Sequence, residues 1–386
     1  MYSLLLALIY IAFISLGLPD PLIGASWPVM HEALGVSVAA MGTVTMVIAA
    51  GTVISSLFSD LLTRRLGAGV VTVVSVFLTA AALFGFSFST ELWMIILFAV
   101  PYGLGAGAID AALNNYVSLH YSARHMSWLH CFWGVGTVIS PFVMSFALTG
   151  SSWNNGYRAV GLIQLLIALL LLLTLPLWRI NKKVEADLPK PRGVGIAGAI
   201  RIRGVGALLI GFFAYSAAEV TAISWSATYL SEVRGMGGEL AAACASAVFI
   251  GMTVGRFIGG FVTERLGDRR MILLGAAFFA VGALFLFIPS ESAVLAVAGF
   301  SIIGFGFAPT YPCIIHSAKD CFGAENSGAI IGIQMASAYV GTTFMPPLYG
   351  LLGKIFGYGI MPIYLVLFMA LSVFMCEWTF RVAKRA

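Results

Sequence analysis

An all-helical membrane protein of twelve transmembrane helices, arranged as two pseudo-symmetric six-helix bundles, is the fold this sequence predicts. Three observations lead to it. The 386 residues are 60% hydrophobic and only 10% charged, whereas roughly a quarter of a soluble domain is charged. Apolar runs of about 20 residues, the length that crosses a hydrocarbon core of roughly 30 Å, recur from end to end with short polar breaks. One longer hydrophilic stretch near the middle parts these runs six from six.

In order, the first six spans are Leu4 to Met30, Ala39 to Leu62, Gly69 to Phe88, Leu92 to Tyr116, Trp128 to Leu148 and Ala159 to Leu177. The second six are Val205 to Leu230, Ala241 to Val262, Met271 to Phe287, Ala293 to Ile315, Gly328 to Leu352 and Met361 to Phe380. These runs are too long, and alternate too seldom, for barrel strands, and a helix satisfies its own backbone groups in lipid. Span 1 lacks a basic front region and a small-residue cleavage site, so it is expected to be retained rather than removed as a signal peptide. Between spans 6 and 7, Arg179 to Gly204 reads as a linker, giving an N-terminal bundle over 1–178, a linker over 179–204 and a C-terminal bundle over 205–386.

Basic residues set the expected orientation. With the N-terminus inside, the breaks on the cytoplasmic side hold Arg64, Arg65, Arg124, Lys182, Lys183, Lys190, Arg192, Arg201, Arg203, Arg265, Arg269, Arg270 and Lys319, and the tail adds Arg381, Lys384 and Arg385. The opposite side has only Arg158, Arg234 and Lys354. Both termini are therefore expected in the cytoplasm, in a multi-pass protein of the cell membrane. The net charge of +5 is a topology signal, and no nucleic-acid partner is expected. The five cysteines, an odd number without metal spacing, read as packing residues. His120, His125 and His130 also lack ligand spacing, so no metal and no cofactor is expected.

An internal repeat supports the two halves. Thr63-Arg64-Arg65-Leu66-Gly67 after span 2 returns as Thr263-Glu264-Arg265-Leu266-Gly267 after span 8, 200 residues on. Asp20 in span 1 answers to Glu219 in span 7, and Gly103-Leu104-Gly105 in span 4 to Gly304-Phe305-Gly306 in span 10. A duplicated bundle of this kind is expected to hold a small-molecule site near the membrane midplane.

Ser56 to Arg65, with Asp60 and the Arg64-Arg65 pair, resembles the loop between spans 2 and 3 of the major facilitator superfamily, with Ser56 and Thr63 in place of the usual glycines. A narrower resemblance is to the fucose-galactose-glucose proton symporters and related sodium-glucose carriers. It is carried by Leu18-Pro19-Asp20, Gly107 to Asn114, Gly255-Arg256-Phe257 and Tyr311-Pro312. The resemblance implies the major facilitator fold, a substrate or coupling carboxylate at Asp20 and a protonatable one at Asp110. Where those symporters carry a sugar-binding Asn in span 5, this chain has Trp133, with His130 nearby.

A carboxylate at the bilayer centre opposes insertion by about 2.5 to 3.5 kcal/mol, so Asp20, Asp110 and Glu219 call for a proton, water or a cation to offset that cost. Gly103, Gly107, Asp110 and Asn114, spaced four, three and four, share one helix face. A small-residue packing stripe explains the glycines but not the acid. Pro19 and Pro21 flank Asp20 and should break span 1 there, with Gly17, Gly24 and Trp27 on the Asp20 face. Tyr215 lies one turn before Glu219 and Ser226 two turns after it, giving span 7 a polar face.

The candidate substrate-binding set is Asp20, Trp27, Asn114, Asn115, His130, Trp133, Tyr215, Glu219, Trp225, Tyr311 and Gln334, combining rings for apolar sugar faces with amides and carboxylates for hydroxyls. Asp110, Asp20 and Glu219 form the proton-coupling set. Asp60, Arg64, Arg65, Arg256 and Arg265 form the gating set. The resemblance to the family loop implies that Asp60 pairs across the halves when the inside is closed, while Arg256, about seven residues inside span 8, is also within snorkelling reach of the interface. These features lead to the expectation of a monomeric secondary active transporter of a small polar solute, a monosaccharide or similar hydroxylated compound, coupled to protons. Sodium-coupled sugar uptake and proton-driven export of drugs or metabolites are the alternatives. A sensor or membrane enzyme has no soluble domain, nucleotide motif or nucleophile–base pair to support it.

Overall fold

The computed structural model describes residues 2–38, 40–150, 152–178, 194–289 and 293–383. Regular structure among them is entirely helical. The N-terminal helices are α1 (Tyr2–Gly17), α2 (Leu22–Ala33), α3 (Ala40–Leu66), α4 (Ala68–Phe88), α5 (Leu92–His120), α6 (Ala123–Gly150) and α7 (Trp153–Leu173). They are followed by α8 (Gly195–Arg201), α9 (Val205–Glu232), α10 (Gly238–Ala245), α11 (Ala247–Leu266), α12 (Asp268–Phe287), α13 (Ala293–Phe307), α14 (Thr310–Phe322), α15 (Ala324–Phe356) and α16 (Met361–Ala383).

Among the described residues, eleven stretches are long and apolar enough to cross a membrane. In two of them a broken pair shares one crossing: α1 with α2 over Leu4–Ala33, and α13 with α14 over Ala293–Phe322. The 33-residue α15 is long enough to be the twelfth crossing, and it carries Gln334 and the Pro346-Pro347 pair within it. Large side chains such as Phe142, Phe146, Leu173 and Leu367 remain exposed, which suits a lipid solvent.

Two boundaries differ from the sequence expectation. Span 8 was expected from Ala241, but Ser246 separates the short α10 from α11, so the long helix starts at Ala247. Part of the expected linker is helical, as α8, while its residues 179–193 lie outside the described residues, as do Lys384 and Arg385 of the tail.

The break in span 1 follows from its prolines. Pro19 has no N–H for the Ser15 carbonyl one turn earlier, and the buried Gln164 of α7 donates its amide to that oxygen instead. Leu22 N–H then returns to the Pro19 carbonyl at 3.2 Å, starting α2. The second break, between α13 and α14, falls at Ala308 and Pro309.

The chain forms two compact units. One comprises Met1–Tyr116, Leu129–Ile196 and Ile331–Ala336; the other comprises Val117–Trp128, Ala197–Ile330 and Ser337–Ala386. In the first, α4 packs along α7, around a core that includes Leu22, Met30, Leu83, Phe86 and Tyr157. In the second, α13 packs on α11 and α12, and α9 on α16.

The repeat has the same structural use in each unit. A methyl at Gly103 of α5 would overlap the Ile48 carbonyl oxygen of α3, and one at Gly304 of α13 would overlap that of Val248 in α11. Ile48 and Val248 stand 200 residues apart, as do Gly67 (φ 90°) and Gly267 (φ 76°), which precede α4 and α12 in a backbone conformation that glycine adopts most readily.

Candidate functional site

In the first unit, Asp20 is an exposed residue in the gap between α1 and α2. Tyr102 of α5 donates its hydroxyl to Oδ1 at 3.2 Å, and Trp133 of α6 donates its indole N–H to Oδ2 at 3.0 Å. Glycines bring these helices together: a methyl at Gly17 would overlap the Trp133 carbonyl oxygen, and one at Gly136 would overlap that of Ile14. The carboxylate is thus fixed in orientation through both oxygens while remaining accessible.

Two turns beyond Tyr102 on α5 lies a second acid. Asp110, Asn114 and His130 are 5%, 0% and 5% exposed, so their polar atoms depend on protein partners. Asn114 Nδ2 donates to Asp110 Oδ1 at 2.7 Å and to the Asp110 backbone carbonyl at 3.0 Å. The backbone oxygen can only accept, which fixes the amide orientation. Asn114 Oδ1 therefore faces His130 Nε2, 3.1 Å away, and His130 must carry a proton there. Phe13 packs edge-on against the imidazole.

The second unit holds the third acid. Glu219 of α9 is 7% exposed and Arg256 of α11 is 4% exposed, and Arg256 donates to Glu219 Oε1 at 3.1 Å. Tyr215, one turn before Glu219, places its hydroxyl 2.9 Å from the same Oε1 and 3.0 Å from the Phe307 carbonyl at the end of α13. The Tyr311 ring lies 6.0 Å from that of Tyr215 and 4.8 Å from that of Phe212.

Other residues expected at a binding site lie apart from these three acids. Trp27 is buried and gives its indole N–H to the Val38 carbonyl. Trp225 gives its own to the Pro346 carbonyl and packs against Tyr349 and Tyr358. Asn115 is partly buried. Gln334 is fully buried, and neither amide atom finds a hydrogen-bond partner among the described residues, a costly state that a water or ligand atom would relieve.

The gating residues divide. Asp60 pairs with Arg64 on its own helix, at 2.7 Å. Arg65 and Arg265 are exposed. Arg256 neither snorkels nor sits at a loop: its side chain is 5% exposed, because the buried Glu219 draws it inward. Glu264, beside Arg265 in the repeat, accepts from Ser122 at 2.6 Å and forms an ion pair with Arg124, within the second unit.

Sequence reasoning missed Tyr102, which stands roughly 100° around α5 from the face of Gly103, Gly107, Asp110 and Asn114. It also missed Gln164, whose only signal was an amide in an apolar helix.

Paired helices broken at prolines, acids set in polar clusters within an apolar bundle and an apolar exterior describe a polytopic helical membrane protein. A family model of the Major Facilitator Superfamily matches residues 4–255 and 239–386, and the chain belongs to that superfamily. Bypass of stop codon protein 6 of Saccharomyces cerevisiae is 23% identical over 412 residues, covering 96% of this chain and 80% of that protein. The glucose/mannose transporter GlcP of Bacillus subtilis is 23% identical over 253 residues, covering 64% of this chain and 62% of that one. Among solved structures, the E. coli fucose:proton symporter FucP superposes with a TM-score of 0.76 at 16% identity, over 98% of this chain and 99% of that one. The proton:xylose symporter XylE superposes with a TM-score of 0.79 at 13% identity, over 97% and 94%. These superpositions bear on the fold.

Proposed function

We propose that this transporter moves a monosaccharide or similarly hydroxylated small solute by alternating access, in symport with protons. The observation that carries the reading is Asp20: an accessible carboxylate, fixed by Trp133 and Tyr102 at a helix break. An oriented carboxylate accepts from solute hydroxyls, and the Trp133 ring offers a face for the apolar side of a sugar. Asn114, Asn115, His130, Tyr311 and Gln334 supply further polar contacts. Asp110 and Asp20 exchange the coupling proton, with Glu219 as a third carboxylate. The names of the glucose/mannose relative and of the fucose and xylose symporters of like fold support the same solute class.

In this reading the bundles over 1–178 and 205–386 rock about the solute. Asp60, Arg64, Arg65 and Arg265 act at the cytoplasmic ends, and the protein works as a monomer in the cell membrane with both termini inside. The test is uptake of labelled monosaccharides into proteoliposomes. An inward proton gradient should drive accumulation, a protonophore should collapse it, and Asp110→Asn should abolish the gradient-driven part. Accumulation driven equally well by sodium without a proton gradient, or no monosaccharide uptake at all, would overturn the reading.

A further inference from the structure

Tyr215 has one hydroxyl hydrogen and two oxygens placed to receive it. Glu219 Oε1 lies 2.9 Å on one side and the Phe307 carbonyl oxygen 3.0 Å on the other. A carbonyl accepts only, and an ionised carboxylate accepts only. With Glu219 ionised, the three oxygens therefore share a single proton, and one of the two short contacts sets lone pair against lone pair in a buried site. One additional proton completes the chain: Glu219 donates to the Tyr215 oxygen, and Tyr215 donates to Phe307.

We propose that Glu219, Tyr215 and the Phe307 carbonyl form a proton-binding site in the second unit, whose occupancy is tied to the break between α13 and α14. It rests on the reading of Glu219 as a coupling carboxylate and adds where the proton is held and what releases it. The step is balanced: a hydronium ion gives its proton to Oε1 of Glu219 and is left as water, and the Tyr215 hydroxyl turns from Oε1 to the Phe307 oxygen. The charged group facing the site is Arg256, from α11. The Tyr311 phenol comes from α14, and the Cys376 thiol of α16 meets Gly211, two turns before Glu219.

Arg256 sets the energetics. The ionised site pairs Glu219 with the guanidinium, and protonation leaves that charge without its counter-ion, so the proton is retained only while the completed chain offsets the loss. Phe307 is the last residue of α13, two residues before Pro309, where the helix is interrupted. If movement at this break withdraws the Phe307 oxygen, the chain loses its terminal acceptor, Tyr215 turns back to Glu219 and the proton leaves. Proton release thereby becomes a mechanical consequence of how the break is set.

Infrared difference spectra between acid and alkaline conditions, taken on the reconstituted full chain with isotope-labelled glutamate carboxyls, test this in the unaltered protein. The expected result is a label-shifted protonated-carboxyl band in acid, which Glu219→Gln removes. Tyr215→Phe should move the band to higher frequency and weaken proton binding by about tenfold, the scale of one lost hydrogen bond. A band that survives Glu219→Gln, or that keeps its frequency and acid midpoint in Tyr215→Phe, overturns the site. The same vesicles separate this from the transport reading. Absence of gradient-driven monosaccharide uptake with the band behaving as expected removes the transport reading alone. Uptake intact with no glutamate band removes the site alone.

Discussion

Asn114 Oδ1 stands 3.1 Å from His130 Nε2, and because the Asn114 nitrogen is committed to Asp110, the imidazole must donate across that gap. One amide therefore ties an acid on α5 to a base on α6. Asn114→Leu keeps the volume but leaves both groups without this partner in a buried site. A loss of about 1–3 kcal/mol is expected, read as a lowered unfolding midpoint in thermal denaturation of the purified protein. Asn114→Gln, which keeps the amide, should recover part of it.

Trp133→Phe retains a ring but removes the N–H that reaches Asp20 at 3.0 Å. The carboxylate then keeps Tyr102 as its remaining hydrogen-bond donor of the pair. Uptake kinetics in proteoliposomes should show KM for the solute raised roughly tenfold, with a smaller change in maximal rate, as befits a contact that orients a binding group.

How much of this could be read in the sequence depended on whether the cause was local. The break at Asp20 was legible because Pro19 and Pro21 remove N–H donors wherever they occur, and the α5 face was legible because four residues recur at helical spacing. The Glu219–Arg256 pair was not. Its members are 37 residues apart on separate helices, and an arginine near a span end reads equally as a snorkelling cation until its partner is seen.

Arg256→Met alone strands an acid at a site 7% exposed and should cost about 3–5 kcal/mol. Glu219→Gln alone strands the guanidinium and should cost a similar amount. The double variant removes both charges and should be more stable than the sum of the two single losses requires. Chemical denaturation of all four proteins gives the coupling energy, and strict additivity would rule out the pair as a stabilising unit.

The Gln164 amide and Pro19 make a paired test of the break in span 1. Gln164→Leu leaves the Ser15 carbonyl without the partner it has now, at an expected cost of about 1–3 kcal/mol. In a Pro19→Ala background the chain regains an N–H one turn after Ser15, so the same substitution should cost measurably less. Thermal unfolding of the two pairs checks it, and equal costs in both backgrounds would mean that Gln164 serves another purpose.

Contact through bare backbone at Gly103 and Ile48, and again at Gly304 and Val248, leaves no side chain at these crossings to change rotamer. Such a seam cannot flex in small steps: it stays shut or comes apart. Helices α3 and α5 in one unit, and α11 and α13 in the other, should each travel as a single plank. Bending is then left to the places where the chain is already interrupted, next to Asp20 and next to Phe307, so the joints of the machine and its acids share the same few residues.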